Sequence, residues 1–260
     1  MFKSIKQYKT GLDLDLKVKN IVLDELYNTK GNKNLSYNEF LEKWDDYTDK
    51  QYIKNYMLKY PEIKDIKKKL YELYFGAPQI FPSMYVDMIM NEIDNKLTEI
   101  NILDPTMGWG TRYLGFKIHP KFKHYIGIDT NLNLQKYYPS DDPQAEFYFM
   151  NCLEVDYSKF NYNLVFTSPP YYSVEKYNHQ ITTWKYKKEW NENFYKPLWK
   201  KLYDNLKPGG FMVLNIREDI YSGLYSGLGQ TIPLPYKILN MKRKRQVSKN
   251  RDFFYIWYKP

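Results

Sequence analysis

The chain has 260 residues, a formal net charge of +9 at pH 7 and a single cysteine. This length predicts one large domain, or one domain with an appendage. The excess of basic residues favours a polyanionic partner. One cysteine excludes an internal disulfide and is typical of a reducing compartment. With no signal peptide and no apolar run of about 18 residues, we expect a cytoplasmic or nuclear protein without a membrane span.

The sequence predicts that residues 1–76 form a polar, helical segment. Ser36 with Glu39, and Thr48 with Gln51, have the spacing of capping boxes at the starts of helices. The segment fits solvated helices packed on a core, a dimerisation element or part of a nucleic-acid groove. We therefore expect an N-terminal helical extension at 1–76 and a second domain at 77–260.

The second domain opens with alternating strand and helix patterns. An apolar strand at residues 100–104 ends in Asp104 and runs into a turn with Gly108 and Gly110, followed by a helical stretch. Such a turn lets the backbone approach a nucleotide-like ligand closely. Tyr113 stands where a dinucleotide site needs Gly or Ala, so a dinucleotide is not expected. The alternative is an ordinary tight turn.

Two further predicted strands also have candidate site residues at their carboxyl ends. Residues 124–129 form a strand that ends in Asp129, and an acid after the second strand typically binds ribose hydroxyls. The third strand, residues 145–150, ends at Asn151 and Cys152.

The fourth strand, residues 164–166, leads into Thr-Ser-Pro-Pro-Tyr-Tyr at 167–172. Two consecutive prolines cannot continue a strand ladder because neither donates an N–H. Ser168 Oγ and the Pro169 carbonyl then form a ledge that offers two acceptors to an exocyclic amino group. Tyr171 is placed to stack on a base that has left the duplex. The alternative is a cis-proline or surface turn without chemistry.

The Ser-Pro-Pro-Tyr sequence resembles the catalytic motif of amino-methyltransferases. These enzymes use S-adenosylmethionine to methylate N4 of cytosine or N6 of adenine in DNA, and a leading serine is more typical of the cytosine enzymes. The turn at 104–110 resembles their first cofactor motif. The similarity extends from about Phe75 to the C-terminus and includes methyltransferase-like proteins of phages and large DNA viruses. It implies an α/β, Rossmann-like class I methyltransferase fold, with a seven-stranded, mostly parallel sheet and helices on both faces.

The resemblance also implies a site. Asp104 is expected to face the amino-acid end of the cofactor, Asp129 the ribose and Asn151 the adenine ring, with no metal. The expected catalytic residues are Ser168, Pro169, Pro170 and Tyr171. The expected cofactor-binding residues are Phe81, Ser83, Asp104, Thr106, Gly108, Gly110, Asp129, Asn151 and Cys152.

The remaining segments complete the predicted domain. We expect a loop over the substrate at 173–185, a long amphipathic helix at 186–206, a fifth strand at 211–216 and a loop at 219–232. A hairpin should follow at 237–246 and 253–258, with basic residues at 241–251 that either contact phosphates or form a solvated turn. Two other functions stay open. One is methylation of RNA or protein, and the other is a non-catalytic subunit that keeps the fold.

Overall fold

The computed structural model describes residues 2, 9–30, 34–75, 78–172, 184–228, 232–241 and 252–260, with side chains of 226–228 left out. The predicted loop at 173–185 therefore lies outside the described residues except for its last two. The basic residues 242–251 also lie outside them. No helix in the described ranges is both long and apolar enough to cross a bilayer.

Within the described residues, seven strands form one sheet, which confirms the predicted fold class. The strands are β1 (Ile100–Asp104), β2 (Phe122–Asp129), β3 (Ala145–Phe149), β4 (Leu164–Thr167), β5 (Phe211–Arg217), β6 (Lys237–Asn240) and β7 (Asp252–Tyr258). Their order is β3-β2-β1-β4-β5-β7-β6. Neighbours among β1 to β5 are parallel, whereas β7 is antiparallel to both β5 and β6. This is a Rossmann-like sheet with a terminal antiparallel hairpin.

Helices cover both faces of the sheet. Their bounds are α1 (Leu12–Ile21), α2 (Leu23–Asn28), α3 (Tyr37–Glu42), α4 (Trp44–Thr48), α5 (Gln51–Lys59), α6 (Ile66–Tyr74), α7 (Met84–Ile93), α8 (Thr111–Lys117), α9 (Lys187–Trp190), α10 (Lys196–Asp204) and α11 (Glu218–Leu228). Successive strand residues point to opposite faces. Ile102 accordingly packs in the cluster that contains α7 and α8, and Leu103 packs in the one that contains α10 and α11.

The strand order reverses between β1 and β4, and this positions the site. From β1 the chain builds outward through β2 to β3, then returns to place β4 on the other side of β1. At the carboxyl ends of these strands, Thr167 Oγ1 donates to Asp104 Oδ1 at 3.0 Å. Ligands of open α/β sheets bind in the crevice at such a switch point.

The N-terminal helices divide between two apolar clusters. Leu14 and Val18 of α1 pack with α7, α8 and the sheet, whereas Phe40 and Tyr71 belong to a separate cluster formed by residues 35–75. The first two helices thus share the core of the α/β domain. The predicted boundary at residues 76 and 77 lies outside the described part of the chain.

One of the two predicted capping boxes is present. Ser36 Oγ accepts from Glu39 N, and the Glu39 carboxylate accepts from Ser36 N. The second prediction is wrong, because α5 begins after Lys50 without a side-chain cap. Thr48 Oγ1 instead donates to the Asp45 carbonyl at 2.8 Å and closes α4.

The predicted amphipathic helix contains a wider turn. α9 and α10 are joined by a π-helical segment at Asn191–Tyr195. Apolar residues recur every four positions here, from Trp190 through Phe194 to Leu198, a longer period than the 3.6 of an α-helix. The π turn absorbs this difference and keeps all three side chains in one core cluster.

The predicted loop at 219–232 is wrong over most of its length, since α11 occupies Glu218–Leu228. Glycine and serine content suggested a loop, but Ile220 and Leu224 are one helical turn apart and both are buried. Gly223 permits close packing, because a Cβ there would lie 2.4 Å from Asn191 Nδ2. The glycine serves helix contact here, not chain reversal.

Candidate functional site

A cavity of about 240 Å³ opens at the carboxyl ends of the central strands. It receives residues from the turn after β1, the ends of β2 and β3, the segment after β4, and β5. Ten of the thirteen predicted site residues line it: Phe81, Thr106, Gly108, Asp129, Asn151, Cys152, Ser168, Pro169, Pro170 and Tyr171. Ser83, Asp104 and Gly110 lie outside its lining.

Asp129 lies where the sequence predicts a ribose contact. Its Oδ2 accepts from Gly108 N at 2.8 Å and its Oδ1 accepts from Asn131 N at 2.9 Å. A carboxylate offers about four lone-pair sites, so each oxygen keeps acceptor capacity toward the cavity. Burial raises the pKa of the Asp129 carboxyl above its ordinary value.

The loop after Asp129 is held by the N-terminal helices. Asn131 Nδ2 and Asn133 Nδ2 both donate to Glu25 Oε1 of α2, at 3.3 Å and 3.1 Å. Glu25 is buried beneath this loop. Helix α2 therefore supports one wall of the cavity.

The two glycines of the β1–α8 turn have different roles. Both need positive φ, +62° at Gly108 and +95° at Gly110. Gly108 lines the cavity, and a Cβ there would meet no atom closer than 3.8 Å. A Cβ at Gly110 would lie 2.6 Å from the Phe2 ring. The expectation that Gly110 makes room for a cofactor is therefore corrected, because that space holds Phe2.

Gly110→Ala is expected to destabilise the fold by about 1–3 kcal/mol, since it adds backbone strain and a clash with Phe2. Gly209 is a matched control, because its φ is +78° and a Cβ there would meet nothing within 4 Å. Chemical denaturation of both alanine variants separates strain from clash. Equal losses of stability in the two variants would show that Phe2 does not press on Gly110.

Asp104 lies behind the cavity wall and is fully buried. Its Oδ2 accepts from Arg112 Nε at 2.6 Å and from Tyr125 Oη at 2.8 Å. Its Oδ1 accepts from Thr167 Oγ1 and, at 3.3 Å each, from Thr106 N and Arg112 Nη2. Five donors exceed the four lone-pair sites of a carboxylate. The expectation that Asp104 faces the cofactor directly is therefore corrected.

Arg112 stands between Asp104 and the cavity, and sequence reasoning missed it. Its side chain is 5% exposed and lines the cavity. The guanidinium also donates to the Thr106 carbonyl and lies 5.2 Å from the centre of the Phe81 ring. Burial by itself would lower the pKa of Arg112, but the charge and hydrogen bonds of Asp104 contribute most to outweighing it, and the net effect raises the pKa and keeps a fixed positive charge at this wall.

Ser83 is tied to the N-terminal segment instead of the cavity. Ser83 Oγ accepts from Gly11 N at 2.8 Å, and Ser83 N donates to Asp15 Oδ1 at 2.9 Å. The side chain makes no capping hydrogen bond to α7. The expectation that Ser83 contacts the cofactor is therefore corrected, because α1 docks on this residue.

Asn151 and Cys152 line the far end of the cavity. Asn151 Oδ1 accepts from Leu153 N at 3.1 Å and shapes the turn after β3. Burial raises the pKa of the Cys152 thiol to about 12, so it is not a thiolate near neutral pH. Its contribution is packing and backbone.

The Ser-Pro-Pro-Tyr ledge follows β4 as predicted, and the described residues contain no cis peptide bond. Thr106 Oγ1 donates to the Ser168 carbonyl at 3.2 Å, and Tyr195 Oη donates to the Pro170 carbonyl. No described residue donates to the Pro169 carbonyl. Ser168, Pro169 and Tyr171 thus border the cavity together, as the two-acceptor hypothesis requires.

Tyr172 is buried beside the cavity instead of lining it. It has a φ of +54°, and its backbone N donates to Tyr195 Oη at 2.9 Å. Its own hydroxyl donates to Asn191 Oδ1 at 3.2 Å. Tyr172 therefore anchors the end of the ledge to the helix that follows.

An aromatic wall borders the cavity. It consists of Trp184, Trp190 and Phe194. The Trp184 and Trp190 rings meet edge to face at 5.0 Å, and Trp190 Nε1 donates to the Trp184 carbonyl at 3.0 Å. The periodic apolar pattern predicted helix burial for Trp190 and Phe194, but only the fold shows that they reach the cavity.

Among the described residues, no group of three or more His, Cys, Asp or Glu side chains has the geometry of a metal site.

No protein-family model and no curated protein matches this chain. Solved structures with a similar arrangement include spermidine synthase from Thermotoga maritima, with 14% sequence identity and a TM-score of 0.46. That match covers 68% of this chain and 59% of the synthase. An rRNA methylase from Streptococcus thermophilus matches with 12% sequence identity and a TM-score of 0.44, and the match covers 70% of this chain and 99% of the methylase.

A putative SAM-dependent methyltransferase from Streptococcus mutans is similar at 11% identity, over 70% of this chain and 51% of that chain, with a TM-score of 0.46. The matched region thus spans less than two thirds of the synthase and of the S. mutans protein. All three TM-scores are below 0.5, and these similarities by themselves do not indicate a function.

Proposed function

We propose that this protein is an S-adenosylmethionine-dependent methyltransferase that modifies the exocyclic amino group of a base in DNA, at N4 of cytosine or N6 of adenine. The observation that supports it is the composition of one cavity. Asp129 and the turn that contains Gly108 line this cavity together with the Ser168–Pro169 ledge and Tyr171. The first group fits a nucleoside-containing cofactor, and we call it the cofactor side; the second fits an amino substrate, and we call it the substrate side.

The residues on the cofactor side match the parts of S-adenosylmethionine. Asp129 offers acceptors for the two ribose hydroxyls, and Gly108 lets the backbone approach without a side chain in the way. Arg112 offers a buried guanidinium to the carboxylate of the amino-acid end, while Asp104 holds that guanidinium in place. Asn151 and Cys152 border the space for the adenine ring.

On the substrate side, the ledge supplies hydrogen-bond acceptors. Ser168 Oγ and the Pro169 carbonyl accept the two amino hydrogens of a flipped base, and Tyr171 stacks on its ring. The amino lone pair is delocalised into the base. Two acceptors draw the nitrogen toward a tetrahedral geometry in which that lone pair is nucleophilic.

The net reaction needs no proton acceptor on the protein. When bound, the cofactor supplies a methyl group on a sulfonium sulfur. The amino nitrogen gains an N–C bond and loses one proton to solvent, while the electron pair of the broken C–S bond stays on sulfur. The products are a methylated amine, S-adenosylhomocysteine and a proton.

The net charge of +9 is consistent with a nucleic-acid substrate. Incubation with radiolabelled S-adenosylmethionine and either duplex DNA or RNA, followed by counting label on the recovered polymer, tests the proposal. Label on DNA is expected. Label on RNA or protein alone would contradict the DNA substrate, and binding of cofactor without transfer would support a non-catalytic subunit.

Asp129→Ala is expected to weaken S-adenosylhomocysteine binding by about 1–3 kcal/mol, because two ribose hydroxyls lose their acceptor. Isothermal titration of wild type and variant measures the difference. Asp142→Ala, which removes an acid outside the cavity, serves as the control. Equal affinities of wild type and Asp129→Ala would contradict the ribose assignment.

A further inference from the structure

Asn215 lies near the carboxyl end of β5, beside the ledge, and only 2% of its surface is exposed. It lines the cavity together with Ser168 and Tyr171. Every residue before it in β5 is apolar, so an amide here interrupts a buried hydrophobic strand. A buried polar side chain in such a place needs partners on both its donor and acceptor sides.

The orientation of the Asn215 amide is fixed by β7 and the end of β6. Asn215 Nδ2 donates to the Phe253 carbonyl at 3.2 Å and to Met241 Sδ at 3.0 Å. A carbonyl oxygen and a thioether sulfur only accept hydrogen bonds. The NH₂ group must therefore face them, and Asn215 Oδ1 must face the ledge.

Both hydroxyls of the ledge donate to this one oxygen. Ser168 Oγ lies 3.1 Å and Tyr171 Oη 2.9 Å from Asn215 Oδ1, and both distances are shorter than the 3.4 Å between the two hydroxyl oxygens. A serine hydroxyl has a single proton and two lone pairs. Because its proton is directed to Asn215, the Ser168 oxygen presents lone pairs to the cavity.

We propose that Asn215 is a positioning residue that makes Ser168 a hydrogen-bond acceptor for the amino group of the target base, an inference that rests on the proposed function. A free serine hydroxyl can rotate and donate to the amino lone pair, which would block the nucleophile. Asn215 prevents that rotation. An amide oxygen does not take up a proton near neutral pH, so Asn215 and Ser168 orient and polarise the amine while solvent receives its proton.

A double-mutant cycle tests this inference. The kcat and KM for a duplex oligonucleotide and the Kd for S-adenosylhomocysteine are measured for wild type, Asn215→Ala, Ser168→Ala and the double variant. Asn215→Ala is expected to lower kcat by about tenfold, with KM and Kd within about twofold of wild type. In the Ser168→Ala background the same substitution should change kcat by less than about twofold. Equal losses in both backgrounds overturn the inference.

Two further variants separate positioning from general stability. Asn163 also has its amide bonded on both sides, because Oδ1 accepts from Asn101 N at 2.9 Å and Nδ2 donates to the Glu99 carbonyl at 2.8 Å, but it does not line the cavity. Asn163→Ala should lower thermal stability and leave kcat within about twofold of wild type. Asn215→Asp keeps an acceptor oxygen toward Ser168, and its carboxyl can donate to the Phe253 carbonyl only when it is protonated. At pH values where that carboxyl is neutral, the variant should retain kcat within about threefold, which also covers the case in which Asn215→Ala does not fold.

The outcomes distinguish the inference from the function on which it rests. If the wild type is active, two results overturn the inference alone. One is a folded Asn215→Asp protein without turnover where its carboxyl is neutral, and the other is additivity of the Asn215→Ala and Ser168→Ala effects on kcat. A wild type that transfers no methyl group to any nucleic acid overturns the proposed function, and the inference with it.

Discussion

Asp104→Ala is expected to lower the free energy of unfolding by about 3–5 kcal/mol, because it leaves the Arg112 guanidinium buried without its counter-ion. The Arg112 side chain is 5% exposed and that of Asp104 is 1% exposed. Arginine cannot release its proton to escape the penalty. Tyr125 and Thr167 would also lose a buried acceptor. Urea denaturation of wild type and variant measures the loss.

An exposed ion pair provides the matched control for Asp104→Ala. Asp13 pairs with Lys17 at 3.2 Å on the solvent side of α1, with side chains 70% and 40% exposed. Asp13→Ala should change stability by no more than about 0.5 kcal/mol. A similarly small effect at Asp104 would show that its ion pair is solvated in solution.

Ser168→Ala is expected to lower the methylation rate by about 10²-fold, because the acceptor gains strength as the amino nitrogen becomes tetrahedral. The free energy of DNA binding should change by less than about 1 kcal/mol, since one neutral hydrogen bond is lost in the ground state. Single-turnover kinetics and a separate DNA titration measure the two effects.

Ser158→Ala is a control for loss of a serine hydroxyl. Ser158 donates to Asp156 Oδ1 in an exposed turn away from the cavity. Its removal should leave the methylation rate unchanged. Full turnover by Ser168→Ala would place the methylated group away from the ledge.

Much of the sheet could be predicted from the sequence, because the information is local. Strands β1 and β2 each contain a buried, mainly apolar stretch directly before the acid at their end, Asp104 in β1 and Asp129 in β2. The rule that ligands bind at the carboxyl ends of parallel strands then brings these ends and the ledge together. The structure places most of the predicted residues around one cavity for this reason.

Most of the errors concern residues whose partners come from other elements of the fold. Ser83 is held by Gly11, 72 positions away, and no local pattern indicates that contact. Asp104 loses its predicted role because Arg112 from the next helix neutralises it. In α11, Gly223 looked like a loop residue, whereas it fits a close helix contact with Asn191.

Asn215 is a residue that the sequence could have indicated. It is the single polar side chain among the first six residues of β5, and β5 lies next to β4, which leads directly into Ser168. The strand pattern alone did not show which way its amide faces. That required the Phe253 carbonyl from β7, 38 residues further along the chain.

The most direct test of the proposed function is to identify the product. The wild-type protein is incubated with duplex DNA and S-adenosylmethionine, and the DNA is digested to nucleosides and analysed by mass spectrometry. The proposal predicts N4-methylcytosine or N6-methyladenine, at levels that Ser168→Ala strongly reduces. Methylation at carbon 5 of cytosine, or no methylated nucleoside from DNA, would contradict it.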